Sequence, residues 1–164
     1  MELMNKYNRF LARGKPIDGS KDYVYGTLNI IEVCPSPIKI GQDDTDCNLY
    51  KITYTAPNTV ADWNLPYPQK STFVKPETVG RYTGKDDALG NKIFEGDIVS
   101  FDYQGYRVFG IVIFNVNTLT WVIADANRSH YNLYCAEDIG VIGNKDDDSE
   151  RLLKDFIWNW SEYV

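Results

Sequence analysis

Ile93-Phe-Glu-Gly-Asp-Ile-Val-Ser-Phe101, followed after a short gap by Tyr106-Arg-Val-Phe-Gly-Ile-Val-Ile-Phe114, decides the fold class. Both runs are rich in β-branched and aromatic residues, which fit a pleated, half-buried surface. In the second run Val108, Val112 and Phe114 fall on one face of a strand, and Phe109, Ile111 and Ile113 on the other. A strand apolar on both sides needs cover on both sides. One face is expected to meet a core; the other is expected to meet the N-terminal segment or a second subunit.

Downstream, residues 119–125 and 131–135 are further short β-type runs, set apart by Asn115 to Asn117 and Asn127 to Ser129. Short strands at near-regular spacing point to a small barrel over residues 79–144. Upstream, the turn signal Pro16-Ile-Asp-Gly19 precedes Tyr23-Val-Tyr-Gly-Thr-Leu-Asn-Ile-Ile31, a strand that Pro35 and Pro37 stop because proline donates nothing to a ladder. A second strand is expected over residues 49–55, which makes residues 1–55 an N-terminal β segment. Pro57, Pro66, Pro68 and Pro76 then break every period, so residues 56–78 read as a connection.

After Ile139-Gly-Val-Ile-Gly-Asn144 the period changes. Leu153, Phe156, Ile157, Trp160 and Val164 share one side at 3.6 residues per turn, and Asp147 with Glu150 resembles a capping box. A C-terminal amphipathic helix is expected over residues 146–164. Trp158 points away from its apolar stripe, which makes it a candidate interface residue with Trp160, Phe109 and Tyr106.

The 164 residues include 17 Lys and Arg against 23 Asp and Glu, a net charge of −6. That balance repels phosphate backbones and anionic lipid, so general nucleic-acid or membrane binding is disfavoured. With 43% hydrophobic residues the chain fills one compact domain, 1–164, without staples. Cys34, Cys47 and Cys135 are an odd set without a CxxC pair, as in a reducing compartment. No apolar leader opens the chain and no run of 18 apolar residues occurs, so a cytoplasmic location is expected.

Catalytic patterns are sparse. The single histidine, His130, stands in a polar loop. Cys34 and Cys47 lack the second pair of a zinc site, and Asp43, Asp44 and Asp46 lack the alternating ligands, central Gly and closing Glu of a calcium loop. There is no GxSxG elbow and no phosphate loop ending in GKS or GKT. Glu95 and Asp97 flank Gly96 and would share a face of one strand, the nearest approach to an acid/base pair. The expectation is no enzyme, no catalytic residue, no metal and no cofactor.

The most specific text is Pro76-Glu-Thr-Val-Gly-Arg-Tyr-Thr-Gly-Lys-Asp-Asp-Ala-Leu-Gly-Asn-Lys-Ile-Phe-Glu-Gly-Asp-Ile-Val99. It resembles the signature of the YopX family of phage and prophage proteins through Tyr82-Thr83-Gly84, the turn ending at Gly90, and Phe94-Glu95-Gly96-Asp97-Ile98-Val99. Arg13-Gly-Lys-Pro-Ile-Asp18 with Tyr23-Val-Tyr-Gly-Thr-Leu28 resembles the family's N-terminal text, with Tyr23 where tryptophan is usual. Ile139-Gly-Val-Ile-Gly143-Asn144 resembles its close, with Gly140 in place of the customary Glu. The resemblance implies an SH3-like barrel and carriage on a phage or integrated element, and brings no catalytic residues with it.

The function expected is therefore an accessory protein that binds protein and self-associates, with a host protein as candidate partner. Tyr82, Tyr103, Tyr106, Trp121, Tyr131 and Tyr134 are the aromatics available to line a binding groove. Two rival readings stand beside it: an acidic nucleic-acid mimic that inhibits a host defence or transcription protein, and a barrel that binds nucleic acid directly through the Lys6, Arg9, Arg13 and Lys15 cluster.

Overall fold

The computed structural model describes residues 10–32, 48–55 and 69–147. Their strands are β1 (Leu11–Gly14), β2 (Val24–Glu32), β3 (Asn48–Thr55), β4 (Gln69–Val74), β5 (Gly80–Asp86), β6 (Lys92–Phe94), β7 (Asp97–Tyr103), β8 (Tyr106–Asn115), β9 (Thr120–Ala124), β10 (His130–Asn132) and β11 (Glu137–Asn144). The protein is mainly β, with all pairing antiparallel. The strands make two sheets, of order β4-β3-β2-β1-β5-β6 and β10-β9-β8-β7-β11. The chain divides into two compact units, Met1–Arg81 and Tyr82–Val164, with the boundary inside β5.

In the first unit β2 and β3 form the long ladder, with Leu28 opposite Ile52 and Ile30 opposite Tyr50. β4 continues it, placing Val74 opposite Tyr50. Beyond its pairing with β2, the chain leaving β1 reaches β4: Pro16 bridges Val74, Ile17 N donates to Phe73 O at 3.1 Å, and Lys75 N donates to Lys15 O at 2.9 Å. This contact bends the sheet around Ala12, Ile52 and Val74, all buried. Gly14 makes the approach possible, since a Cβ there would lie 3.0 Å from Val74 Cβ. A 3₁₀ turn, Pro76–Thr78, is pinned to the same corner, where Lys15 N donates to Thr78 Oγ1 at 2.8 Å.

In the second unit Val99 and Phe101 of β7, Val112 of β8 and Ile123 of β9 share one face and pack with Ile93, Leu133, Ala136 and Ile139. Burying each such side chain contributes about 1.5–3 kcal/mol, so this cluster is the unit's main source of stability. The other face is closed too: Ile98, Ile111 and Ala124 stand in one cross-strand row, Val122 is opposite Ile113, and the first three and Val122 are buried. The middle of β8, Gly110 to Val112, is buried on both faces, while Phe109 on the second face stays 39% exposed.

Several expectations change. The five-stranded sheet has β10 and β11 as its edges, and among the described residues no ladder joins them, so a closed barrel is not formed by the pairing. The run 93–101 is two strands, because Gly96 at φ 84° turns the chain between β6 and β7. Residues 131–135 are only partly strand: Asn132 Oδ1 accepts from Tyr134 N at 2.9 Å and starts a 3₁₀ turn, Leu133–Cys135. The connection expected over 56–78 contains β4, an edge strand whose polar, mostly exposed residues carry no apolar alternation to read. The expected helix, with Trp158 and Trp160, lies outside the described residues apart from a turn at 145–147; no α-helix occurs among the described ones. Cys34, Cys47 and the Asp43 to Asp46 cluster also lie outside them.

Candidate functional site

The motif residues come together as latches. Asp97 is 1% exposed; its Oδ2 accepts from Phe94 N at 2.8 Å and its Oδ1 from Asn144 Nδ2 at 3.2 Å. Asn144 Nδ2 also reaches Gly96 O at 3.1 Å, and Gly96 N donates to Val112 O at 2.9 Å. So Gly96, Asp97 and Asn144 join the β6–β7 turn to the end of β11 by satisfying buried polar groups.

A second latch is the loop after β5. Asp87 Oδ1 accepts from Leu89 N at 2.9 Å and Asn91 N at 2.7 Å, and Oδ2 accepts from Asn91 Nδ2 at 3.1 Å and Val141 N at 3.3 Å. Burial pushes the Asp87 carboxyl up, but the hydrogen bonds from Asn91, Val141 and Leu89 outweigh it and hold it below the usual carboxylate range. Gly90, at φ 85°, completes the turn.

The third latch involves Thr83, Lys85 and Tyr134. Thr83 Oγ1 donates to Ile93 O at 2.9 Å, Tyr134 OH donates to Thr83 O at 2.6 Å, and Lys85 Nζ caps the 3₁₀ turn through Leu133 O at 3.0 Å and Ala136 O at 2.9 Å. Burial lowers the Lys85 ammonium's pKa. Nearby, Tyr82 OH donates to Asp86 Oδ1 at 2.6 Å while Lys92 Nζ lies 4.9 Å from the Tyr82 ring centroid. Burial and then the Asp86 carboxylate raise the Tyr82 phenol far above its ordinary value.

Of the candidate acid/base groups, His130 stands apart from Asp97. Asp97 is occupied as an acceptor, Glu95 is half-buried in the turn, and His130 is exposed on β10, three strands from β7. At about 4.8 Å per strand that is roughly 14 Å, outside hydrogen-bond reach. Among the described residues no group of three or more His, Cys, Asp or Glu is placed to hold a metal ion. Cys135 is exposed on the 3₁₀ turn.

The candidate groove aromatics divide into three places. Tyr82 and Tyr134 flank Thr83; Trp121 packs edge-on against Phe114 at 5.0 Å. Tyr103, Tyr106 and Tyr131 form the third group. Tyr103 and Tyr106 face each other across the β7–β8 hairpin, whose turn residues Gln104 (φ 49°) and Gly105 (φ 83°) have the positive φ such a tight turn needs. Tyr131 sits edge-on to Tyr103 at 4.8 Å and to Phe101 at 5.3 Å, anchored by its OH to Asp125 Oδ2 at 3.1 Å. Burial and Asp125 raise the Tyr131 phenol. The ladder thus runs from the core outward to Tyr103 and Tyr106, 43% and 76% exposed. Phe109 lies on the opposite face of β8 from Tyr106, so those two candidates do not share one flat patch.

Beside the hairpin, on the Phe109 side, Arg107 is held by Asp102 Oδ1 and Asp138 Oδ2, each at 2.9 Å, and by Ser100 Oγ at 3.1 Å. The two carboxylates raise its already high pKa. The sequence reading missed this clamp and the role of Asp125, whose Oδ1 accepts from Asn127 N and Ser129 N at 2.9 and 2.8 Å. The signal for Asp125 was local: an Asp opening a polar turn that contains Asn and Ser.

Two antiparallel sheets latched by buried polar turns, with exposed tyrosines on one hairpin, define a mainly β protein. The family model described as YopX protein matches residues 23–153, and the chain belongs to that family. No curated protein and no solved structure matches the chain.

Proposed function

We propose that this YopX-family chain is a non-enzymatic protein-binding module of a phage or prophage, acting in the bacterial cytoplasm and self-associating. Its partner docks on the ladder of Tyr103, Tyr106 and Tyr131. The carrying observation is the contrast between Asp97 and Asn144, whose polar atoms are used within the fold, and Tyr106, which stays 76% exposed opposite Tyr103, itself packed on Tyr131. Rigid, half-exposed tyrosines supply contact area at low entropic cost. The second unit is read as an SH3-like module, supported by its five-stranded order and by the 3₁₀ turn just before the last strand.

Affinity capture from host lysate with the wild type and the Tyr103→Ala/Tyr106→Ala double variant tests the reading. A partner bound by the wild type and lost by the double variant supports it. Identical captures from the two proteins would remove the ladder as the site.

A second reading rests on charge. The unit Tyr82–Val164 carries 14 Asp and Glu against 7 Lys and Arg. Such a surface suits a basic partner that ordinarily holds nucleic acid, which makes the protein an acidic inhibitor. Here, capture weakens steeply with salt and is competed by duplex DNA, whereas capture on the tyrosine ladder resists both.

A further inference from the structure

We infer that self-association runs through the first unit, by one face of the β2–β3–β4 sheet meeting the same face of a second copy. The inference rests on the self-associating reading above and uses residues of the first unit in place of Tyr106 and Phe109. By register, Ile31 stands opposite Leu49, and Phe73 opposite Lys51, two positions further along β3. Ile31, Leu49 and Phe73 are 40%, 46% and 39% exposed, side by side on one face. An antiparallel sheet that leaves one face in water ordinarily alternates to polar residues there; this face departs from that rule at the end where β2 finishes and β3 begins.

Its polar residues are prepared for cover. Asn29 Nδ2 donates to Thr53 Oγ1 and to Thr27 O, both at 3.2 Å, so covering the amide strands no donor. No Asp or Glu stands on this face of β2, β3 or β4, and Lys51 has an apolar stem able to lie along the patch with its ammonium in water.

Charge selects the occupant. The unit Met1–Arg81 has 10 Lys and Arg against 9 Asp and Glu, while the other unit has 7 against 14. Two copies of this chain, each at −6, meet with least repulsion through the near-neutral unit. A two-fold contact between like faces is the commonest way for identical chains to pair. Three strands present a small surface, short of the roughly 800 Å² per partner of a stable complex, so the dimer is reversible.

Light scattering of the full chain over a range of concentrations tests this, with circular dichroism confirming the fold of each variant. The mass of the wild type is expected to rise with concentration from 18.8 kDa toward twice that value, and Leu49→Glu and Phe73→Lys to hold it at 18.8 kDa, while Tyr106→Ala dimerises normally. A dimer that persists in both face variants overturns the inference and leaves self-association by another surface standing. A wild type that is monomeric throughout overturns both. A monomer that binds labelled single-stranded oligonucleotide, with binding lost in the face variants, overturns it in favour of a nucleic-acid platform.

Discussion

Asn144 donates its side-chain amide to Asp97 Oδ1 at 3.2 Å across 47 positions of sequence, and the two residues are also backbone partners at the ends of β11 and β7. One family-motif segment is thereby tied to the other through a buried carboxylate. Asp97→Ala removes the buried acceptor of the Phe94 N–H and one of the two acceptors of the Asn144 amide. It should lower stability by about 2–4 kcal/mol, read as a lower denaturant midpoint; a change under about 0.5 kcal/mol would show that the latch is dispensable.

Asp87 gives a pH dependence with a definite sign. Its folded carboxyl is held below the usual range although burial opposes this, so its contribution is fully present above the unfolded value of about 3.9 and is lost as pH falls through the folded one. Urea midpoints measured from pH 7 to pH 2.5 should fall at the acid end in the wild type and fall less steeply in Asp87→Asn. Parallel curves would contradict the assignment.

Two glycines separate backbone freedom from space. Gly110 lies in β8 at ordinary φ, and a Cβ there would come 2.5 Å from Ala124 O and 2.6 Å from Ile123 Cγ2. Gly105 is at φ 83° with nothing near. Gly110→Ala is expected to cost about 3 kcal/mol by overpacking, and Gly105→Ala about 1 kcal/mol through strain alone. Thermal melts of the two variants check the order.

Tyr106 should be removable without harm to the fold. At 76% exposure its truncation to alanine changes stability by about 0.5 kcal/mol or less, while partner capture is lost. Tyr131→Phe, by contrast, keeps the ring and breaks the bond to Asp125 Oδ2, costing about 1 kcal/mol. Paired melting and binding assays distinguish the two effects.

Much of the second unit could be read in advance because its strands are locally consistent. The β-branched runs that became β7, β8 and β9 alternate over an ordered core, and the two-sided hydrophobicity of β8 correctly signalled burial on both faces. β4 was hidden because Gln69, Lys70 and Ser71 are exposed on an edge strand and supply no apolar rhythm. The division of residues 93–101 turned on Gly96, whose positive φ is compatible with a bulge or a turn until the partner strands are known. Of six candidate aromatics, sequence had no means to choose, since exposure depends on what packs above each ring.

The sequence by itself determined the mainly β class, the family, the positions of β2, β3, β7, β8 and β9 and the charge, because these follow from local side-chain preference, motif and composition. Tertiary structure alone decided the strand order, the open edges of the five-stranded sheet, the latch of Asp97 to Asn144, and the exposure of Tyr106 beside a supported Tyr103. The physical reason is range: alternation and turn chemistry act within a few residues, whereas ladder pairing and burial join residues dozens of positions apart, and a chain's linear order does not specify which of its compatible faces will meet.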